Sequence, residues 1–456
     1  MAGARLSRST LATDKERTKE RMKRTLSADI AQHIDKEVLV KGWLHKKRLM
    51  GGLTFINVRD RSGLVQVLIE DKAETEKLRG MQIGTVLEIT GKVKKEDRAP
   101  GGAEVFEPTI TVTVPVTEEP PIEIDKPLSH KSDNLDTLFE HRAIGLRNLN
   151  ETAIFKIRSS VNKHIRTYLD SQEFIEMQTP KLLGAPTEGG AEVFTLDYFG
   201  QEASLAQSPQ LYKQMLVGVF ERVYEIGPTF RAELSATTRH VSEVTMLDIE
   251  MGFIESHDDV LNVIQDMVYY VVTTIQEEYA DQMKKMNIAP TKLTKEFPRF
   301  TVAEIHELYT KATGTDTTQE KDLIPDEERW ICDYAKKKFG CEAVYATNFP
   351  REAMKFYHKL GDDGTVMWAD LLFKGLEIAT CPVRENNHDT LVEQMKAAGM
   401  DIENQGYKYF LQAMKHGLPE HGGCGFGVDR LVQKLLNLGN VKEAILFPRD
   451  INRLAP

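Results

Sequence analysis

The segment VYEIGPTFRAELSATTRHVSEVTMLDIEMGF, residues 223–253, carries more charge than an apolar stretch tolerates without a reason. It reads as two strands joined by a loop, with Arg231 and Glu233 two apart on the first strand and Asp248 and Glu250 two apart on the second. A period of two turns each pair to one face, so an antiparallel hairpin would gather a cation and several carboxylates on one side of a sheet. Arg239 and His240 lie in the loop between. Such charges are costly among apolar residues unless a charged ligand or a metal meets them, or they form a structural ion-pair network. The hairpin alone leaves both readings open. Near the C-terminus, HGGCGFGVDRL sets Gly423, Gly425 and Gly427 at alternate positions. That strips one strand face of side chains and lets a planar ligand or a backbone come close. Arg430 follows at the start of an apolar helix, where a guanidinium can hold phosphate or stack on an aromatic ring.

These residues need elements to position them. Residues 37–115 read as five short strands, EVLVKGWLHKKRL, LTFINV, LVQVLIE, TVLEITGKV and TITVTVPV, and five in so short a span point to a small OB-fold barrel. Ile56 and Val58 alternate with Phe55, Asn57 and Arg59, and Val65, Val67 and Ile69 alternate with Leu64, Gln66 and Leu68. If the valine faces fill the barrel, Phe55 and Gln66 stand outside beside Arg59, a platform for stacking and reading an unpaired base. The alternative is that Phe55 packs under a loop. The polar, proline-rich stretch TEEPPIEIDKPLSHKSDN reads as a hinge. Beyond it Ile154, Ile157, Val161, Ile165 and Tyr168 recur at helical spacing, the helix ends near SQEF, and FIEMQTP follows as a strand closed by Pro180. The pattern is α+β: a polar extension (1–29), the barrel (30–118), the hinge (119–150), and a large region (151–456) built on an antiparallel sheet flanked by helices, with a helical insertion near 280–340.

Composition narrows the function classes. The chain has 456 residues, 41% hydrophobic and 28% charged, and no apolar run approaches the roughly 20 residues that span a bilayer. No membrane association is expected. The N-terminus lacks a secretory apolar stretch, and the four cysteines show no paired CxxC spacing, so neither zinc nor a disulfide framework is indicated and a reducing cytoplasm fits. The net charge of −10 is uneven: residues 1–110 hold 22 Lys and Arg against 16 Asp and Glu, the remainder 37 against 53. A basic front on an acidic body suits a polyanion held by one module, though chance surface composition fits as well.

Taken together, the FRAE hairpin with its TTRH loop resembles motif 2 of the class II aminoacyl-tRNA synthetases. GFGVDR resembles motif 3, and the helix ending at FIEMQTP resembles motif 1. The front domain is similar to the OB-fold anticodon-binding domain of the aspartyl, asparaginyl and lysyl subgroup, and the resemblance spans about residues 30–456 in the same order of parts. It implies ATP-dependent charging of a tRNA through an aminoacyl-adenylate, a homodimer formed through motif 1, and Mg²⁺. It also implies roles. Arg231 would meet the α-phosphate, His240 and Arg430 the γ-phosphate, and Glu233 the adenine amino group, with Arg239 beside them. QSPQLYKQ, residues 207–214, is similar to the aspartyl pattern, in which Gln207 and Lys213 bind the amino acid and Lys213 meets its side-chain carboxylate. That makes L-aspartate the implied amino acid and tRNA(Asp) the implied partner. Glu188, in TEGGAEVF, resembles the loop residue that closes over the amino acid and with Asp248 holds its ammonium. In GLEIATCPVRE, Glu377 and Thr380 match the Mg²⁺ positions and Arg384 the arginine that pairs with the substrate side chain. Asp370 stands where the family has another carboxylate. The run Cys381-Pro382-Val383 departs from the small residues and glutamine usual before that arginine. Two other functions fit the same residues: an adenylate-forming relative that does not use tRNA, and a non-catalytic RNA-binding relative. The second is disfavoured by the presence of Arg231, Arg384 and Arg430.

Phe55 and Gln66 match the positions that hold the middle anticodon base, which aspartate and asparagine tRNAs share. His45, in GWLHKKR, is implied by the resemblance to mark a relaxed enzyme that also charges tRNA(Asn); its alternative is a solvated loop histidine at a strand end.

Overall fold

Alternation in the front domain turns five strands into a closed barrel: β1 (Glu37–Met50), β2 (Leu53–Arg59), β3 (Leu64–Ile69), β4 (Val86–Lys95) and β5 (Ala103–Val114), in the order β1-β2-β3-β5-β4. The computed structural model describes residues 22–128, 132–188, 192–234 and 237–456, so most of the polar extension lies outside the described residues. Ile56, Val58, Val65, Val67 and Ile69 are fully buried in the barrel, while Phe55 and Gln66 stay partly exposed outside it. A helix, α1 (Lys72–Arg79), packs Leu78 into the barrel core. Asp71 caps its start by accepting from the Ala73 and Glu74 amides. Lys47 Nζ closes its end by donating to the carbonyls of Leu78, Arg79 and Met81 at 3.1, 2.9 and 2.7 Å.

The chain divides into two compact units between Leu149 and Asn150. The second is built on an eight-stranded sheet. Its strands are β6 (Ile175–Glu176), β10 (Arg222–Phe230), β11 (Glu243–Gly252), β12 (Arg299–Thr301), β13 (Ala343–Phe349), β14 (Val366–Phe373), β15 (Glu377–Pro382) and β16 (His421–Gly427), in the order β12-β13-β14-β15-β16-β11-β10-β6. Three short strands, β7 (Leu182–Leu183), β8 (Thr195–Tyr198) and β9 (Gln201–Leu205), form a separate small sheet. The six central strands of the large sheet pair antiparallel, as the sequence pattern suggests, but both edges are parallel: β12 to β13 and β6 to β10. The reason is connection length. Parallel neighbours need a long crossover. β12 reaches β13 through α5 (Val302–Thr313) and α6 (Pro325–Phe339), and β6 reaches β10 through the small sheet and α3 (Gln210–Phe220).

Two long helices, α2 (Leu149–Ser171) and α4 (His257–Glu278), cover the sheet. Ile154, Ile157, Val161 and Ile165 of α2 join Val260, Ile264, Val268 and Val271 of α4 in one core, with Tyr168 partly buried at its margin. The strand expected over FIEMQTP shrinks to two residues, and Ile175 there is 46% exposed. Among the described residues no helix is long and apolar enough to cross a membrane.

The last helix, α7 (Val428–Leu435), is tied to this frame by an ion pair whose carboxylate is buried. Arg158 on α2 donates to Asp429 from Nε at 3.0 Å and from Nη2 at 2.7 Å, and Asp429 also accepts the Thr245 amide at 2.9 Å. α2, β11 and α7 are thereby fixed beside the residue that follows, Arg430.

Candidate active site

Strands β11 and β16 pair so that Met246, Asp248 and Glu250 lie opposite Gly427, Gly425 and Gly423. Cross-strand partners share a face, so the charged side chains stand over a lane with no side chains. At Gly423 that closeness requires a glycine: a Cβ there would lie 1.9 Å from the Ile249 carbonyl oxygen and 2.6 Å from a Glu250 carboxylate oxygen. Two cations reach into the lane. Lys213 on α3, 1% exposed, sets Nζ 2.9 Å from Asp248, 3.0 Å from the Cys424 carbonyl, 3.5 Å from the Ile249 carbonyl and 3.4 Å from Glu250. Arg384, 2% exposed, grips Glu250 from Nε at 3.0 Å and Nη2 at 3.2 Å, and its guanidinium lies 5.1 Å above the Tyr357 ring. Burial opposes the charge of Glu250, but Arg384 and Lys213 prevail and hold its carboxyl below the usual range. Burial wins at Asp248, whose carboxyl is raised against the pull of Lys213. The three N–H groups of Lys213 are all engaged by the protein.

One end of the lane opens into a cavity lined by Arg231, Glu233, Arg239, His240, Glu377 and Arg430. Here the geometry differs from the strand reading of the hairpin. β10 stops at Phe230, and Arg231 makes one further ladder bond, from its amide to the Ser242 carbonyl at 2.9 Å. Arg231 and Glu233 therefore sit on the loop, not on the strand, with Nη1 of Arg231 3.6 Å from Glu233. His240 Nε2 is 3.7 Å from the same carboxylate and its Nδ1 is 2.6 Å from the Thr237 hydroxyl; burial lowers its pKa, although Glu233 works to raise it. Arg239 is held by Glu328 of α6 at 3.0 Å.

Glu377 and Thr380 are three apart on β15, a spacing that puts side chains on opposite faces of a regular strand. A bulge changes this: Leu371 pairs with Ala379 while Leu372 pairs with Glu377, leaving Ile378 as an extra residue. The Thr380 hydroxyl then donates to Glu377 at 3.2 Å. Arg430 Nη1 donates to the Glu377 carboxylate and to its carbonyl, both at 2.9 Å. Burial opposes ionisation of Glu377, and Arg430 overcomes it, holding the carboxyl down. Asp370, directly opposite Thr380, accepts from Trp368 Nε1 at 2.7 Å; burial and the charge of Glu377 push its carboxyl well up. Two carboxylates and a hydroxyl form a hard oxygen set of the type Mg²⁺ takes.

A second cavity shares Arg231, Met246, Glu377 and Gly425 with the first and runs on to Lys213, Arg384 and Glu188. Glu188 accepts from Ser208 at 2.7 Å, from Lys355 at 3.0 Å and from the Tyr357 hydroxyl. Burial would raise its carboxyl, but Lys355 and these hydroxyls bring it down to about 2. Gln207 is 7% exposed at the same wall, its Nε2 3.4 Å from the Glu192 carbonyl. Of the departing run Cys381-Pro382-Val383, Cys381 and Val383 face the core behind the sheet, and Pro382 lines the cavity beside Arg384. Lys355, Tyr357, His358, Asp322 and Glu328 were not identified from the sequence. They come from the insertion and from the segment before β14, and only the tertiary fold brings them here. A cation beside two aromatics in Lys355-Phe356-Tyr357-His358 was the one signal available.

The residues expected on the barrel lie on its outer face. Phe55 is opposite Arg48 and Leu68, and Gln66 is opposite Asn57 and donates to Glu104 at 2.7 Å. Arg59 turns to the far end of β2, its guanidinium 4.8 Å above Trp43. His45 departs from both a strand end and solvent: it sits inside β1 at a bulge between Leu44 and Lys46 and is 5% exposed. Burial, then Arg59, lowers its pKa, and its Nδ1 has no hydrogen-bond partner among the described residues.

Residues 134–451 match the family model of class II tRNA synthetases (D, K and N), and residues 38–115 match that of the OB-fold nucleic acid binding domain. The chain is 39% identical to the aspartate–tRNA(Asp/Asn) ligase of Thermus thermophilus, over 95% of this chain and all of that one. It is 36% identical to the aspartate–tRNA(Asp) ligase of Pyrococcus abyssi, over 94% and 99%. Its fold is similar to asparaginyl-tRNA synthetase from Pyrococcus horikoshii complexed with asparaginyl-adenylate, with a TM-score of 0.87, 28% identity and coverage of 95% and 100%.

The bare lane yields a contrast between two glycines. Gly423→Ala must push a methyl into the β11 backbone and should lower the unfolding free energy by about 3 kcal/mol or more. At Gly425 the nearest atom to an added Cβ is 3.6 Å away, and Gly425→Ala should stay within about 1 kcal/mol of the parent. Denaturant unfolding of the two variants checks this; equal losses would show that β11 does not dictate the lane.

Proposed function

The chain belongs to the class II tRNA synthetases of the D, K and N kind, and on that premise we propose that it joins L-aspartate to tRNA(Asp), and to tRNA(Asn) as well, through an aspartyl-adenylate made from ATP. The observation that carries this reading is the pairing of cavities: an arginine-lined one continuous with one holding the buried cations Lys213 and Arg384. A carboxylate can accept from the N–H groups that Arg384 keeps free of Glu250, and an amide nitrogen cannot.

In the first step the aspartate α-carboxylate attacks the α-phosphorus in line, forming the mixed anhydride and expelling pyrophosphate. An anion attacks an anion, so positioning and charge neutralisation carry the catalysis. Arg231 stabilises the α-phosphate, Arg430 and His240 the γ-phosphate, with Arg239 steadied by Glu328 at the same wall. Glu233 accepts from the adenine amino group. Glu188 and Asp248 hold the substrate ammonium, and Gln207, Lys213 and Arg384 define the side-chain end. Glu377 and Thr380, backed by Asp370, would hold Mg²⁺, which when bound neutralises phosphate charge. In the second step a hydroxyl of the terminal tRNA ribose attacks the acyl carbon and releases AMP. Phe55 and Gln66 stack on and bond the middle anticodon base, and buried His45 shapes the neighbouring base site. A second copy of the chain pairs through α2 and β6, giving a homodimer. The reaction and the four free, buried cysteines suit the cytoplasm.

Pyrophosphate exchange tests the reading. Aspartate should support it and asparagine should not. Arg231→Ala or Arg430→Ala should slow it by about 100- to 1,000-fold, roughly 3–4 kcal/mol, with the fold retained by circular dichroism. Exchange near the parent rate in either variant would remove the assigned role, and a preference for asparagine would remove the substrate. Charging of both tRNAs at matched concentration should give comparable rates; a hundredfold preference for tRNA(Asp), about 2.7 kcal/mol, would mark a discriminating enzyme. Sedimentation at micromolar concentration should show a dimer, and a monomer would refute the α2–β6 pairing.

A further inference from the structure

The substrate's side-chain carboxylate needs donors, and the two obvious ones are largely committed before it arrives. Lys213 spends its ammonium on Asp248 at 2.9 Å, the Cys424 carbonyl at 3.0 Å and the Ile249 carbonyl at 3.5 Å. Arg384 spends Nε and Nη2 on Glu250, leaving Nη1. A carboxylate offers about four lone-pair sites on two oxygens. The N–H groups left on Arg384 leave one edge of the guanidinium to meet them, and a second donor on the cavity wall would serve the oxygen that this edge does not reach.

His358 supplies it. The residue is 1% exposed, lines the same cavity as Lys213 and Arg384, and its backbone bridges that of Arg384. The ring is clamped, tilted against Trp368 with centroids 5.3 Å apart and edge-on to Tyr357 at 4.9 Å. Nδ1 accepts the Lys355 amide hydrogen at 3.3 Å. A neutral imidazole that accepts at Nδ1 carries its proton on Nε2, and that N–H has no hydrogen-bond partner among the described residues. Burial, together with Arg384 and Lys355 close by, holds the ring neutral.

We propose that His358 is a specificity-determining residue of this site, its Nε2–H donating to one oxygen of the substrate's side-chain carboxylate while Arg384 serves the other. The assignment rests on aspartate being the substrate. Asparagine would present an NH₂ group where one oxygen belongs. With Arg384 and His358 both offering hydrogens, one donor would face a donor. The tautomer cannot switch to relieve the clash, because Nδ1 is already held by the Lys355 amide. A site built around a particular hydrogen-bonding group rejects the analogue that lacks it far better than an apolar pocket does.

Pyrophosphate exchange with aspartate and with asparagine, in the parent and three variants, tests the assignment. His358→Phe keeps a ring between Trp368 and Tyr357 and removes the donor. It should raise the aspartate KM by about 10- to 100-fold, leave the ATP KM within about twofold, and narrow the aspartate-to-asparagine ratio of kcat/KM by a similar factor. His358→Gln places an amide N–H near the Nε2 position and should recover most of that loss. His358→Asn, whose amide reaches only the Nδ1 position, is a second donorless variant should the phenylalanine fail to fold. An aspartate KM within twofold of the parent in the donorless variants overturns the assignment. So does a parallel rise in both KM values without rescue by glutamine, the signature of a ring that only packs. A parent enzyme that does not activate aspartate overturns the functional reading, and this assignment with it.

Discussion

Four charges, Lys213, Asp248, Glu250 and Arg384, lie side by side at 4% or less exposure on a sheet whose other face is hydrocarbon core. Burying one unpaired ion costs several kcal/mol, so each member is tolerable only because the others are present. Much of the second unit follows from that. α3 must deliver a lysine to β11, β15 must run on far enough to deliver Arg384, and β16 must be bare where the carboxylates stand. The glycine lane, which in isolation suggests room for a ligand, is equally the space these side chains need. Both cavities reach the lane at Gly425, and the first reaches it at Gly427 as well.

This arrangement leaves the site nearly charge-balanced before any substrate enters. Cations already bonded to carboxylates do not attract a third anion strongly by charge alone; they contribute shape and whatever N–H groups remain. Selection between aspartate and asparagine, which differ by an oxygen and an NH₂ group, then falls to a small number of directional donors. The fold match with an asparaginyl enzyme at a TM-score of 0.87 fits this view. One scaffold serves both amino acids, and the choice lies in a few side chains.

The barrel was legible because its core obeys a period of two: Ile56, Val58, Val65, Val67 and Ile69 all point inward. The α2 stripe was legible for the corresponding helical reason. What escaped the sequence has specific causes. Periodicity places Glu377 and Thr380 on opposite faces, and only the bulge at Ile378 unites them. Arg231 and Glu233 looked like strand residues because alternation does not announce where a ladder stops. His45 looked solvated because its neighbours Lys46, Lys47 and Arg48 are charged, yet at the bulge in β1 it is buried. Lys355 and Tyr357 meet Glu188 across more than 160 residues of chain, a contact that local pattern does not encode. The parallel sheet edges depend on crossover length, which depends on where β6 and β12 end, and both strands are too short to stand out.

The claim that the four buried charges act as one unit is tested most directly by a double-mutant cycle across Glu250 and Arg384, read by denaturant unfolding. Glu250→Gln and Arg384→Met each leave a buried partner uncompensated and should cost about 3–5 kcal/mol apiece. The double variant removes both charges together, and its loss should fall short of the sum of the single losses by about 2 kcal/mol or more. Additive losses would mean that each charge is stabilised independently, and the network would not be the constraint on which the site is built.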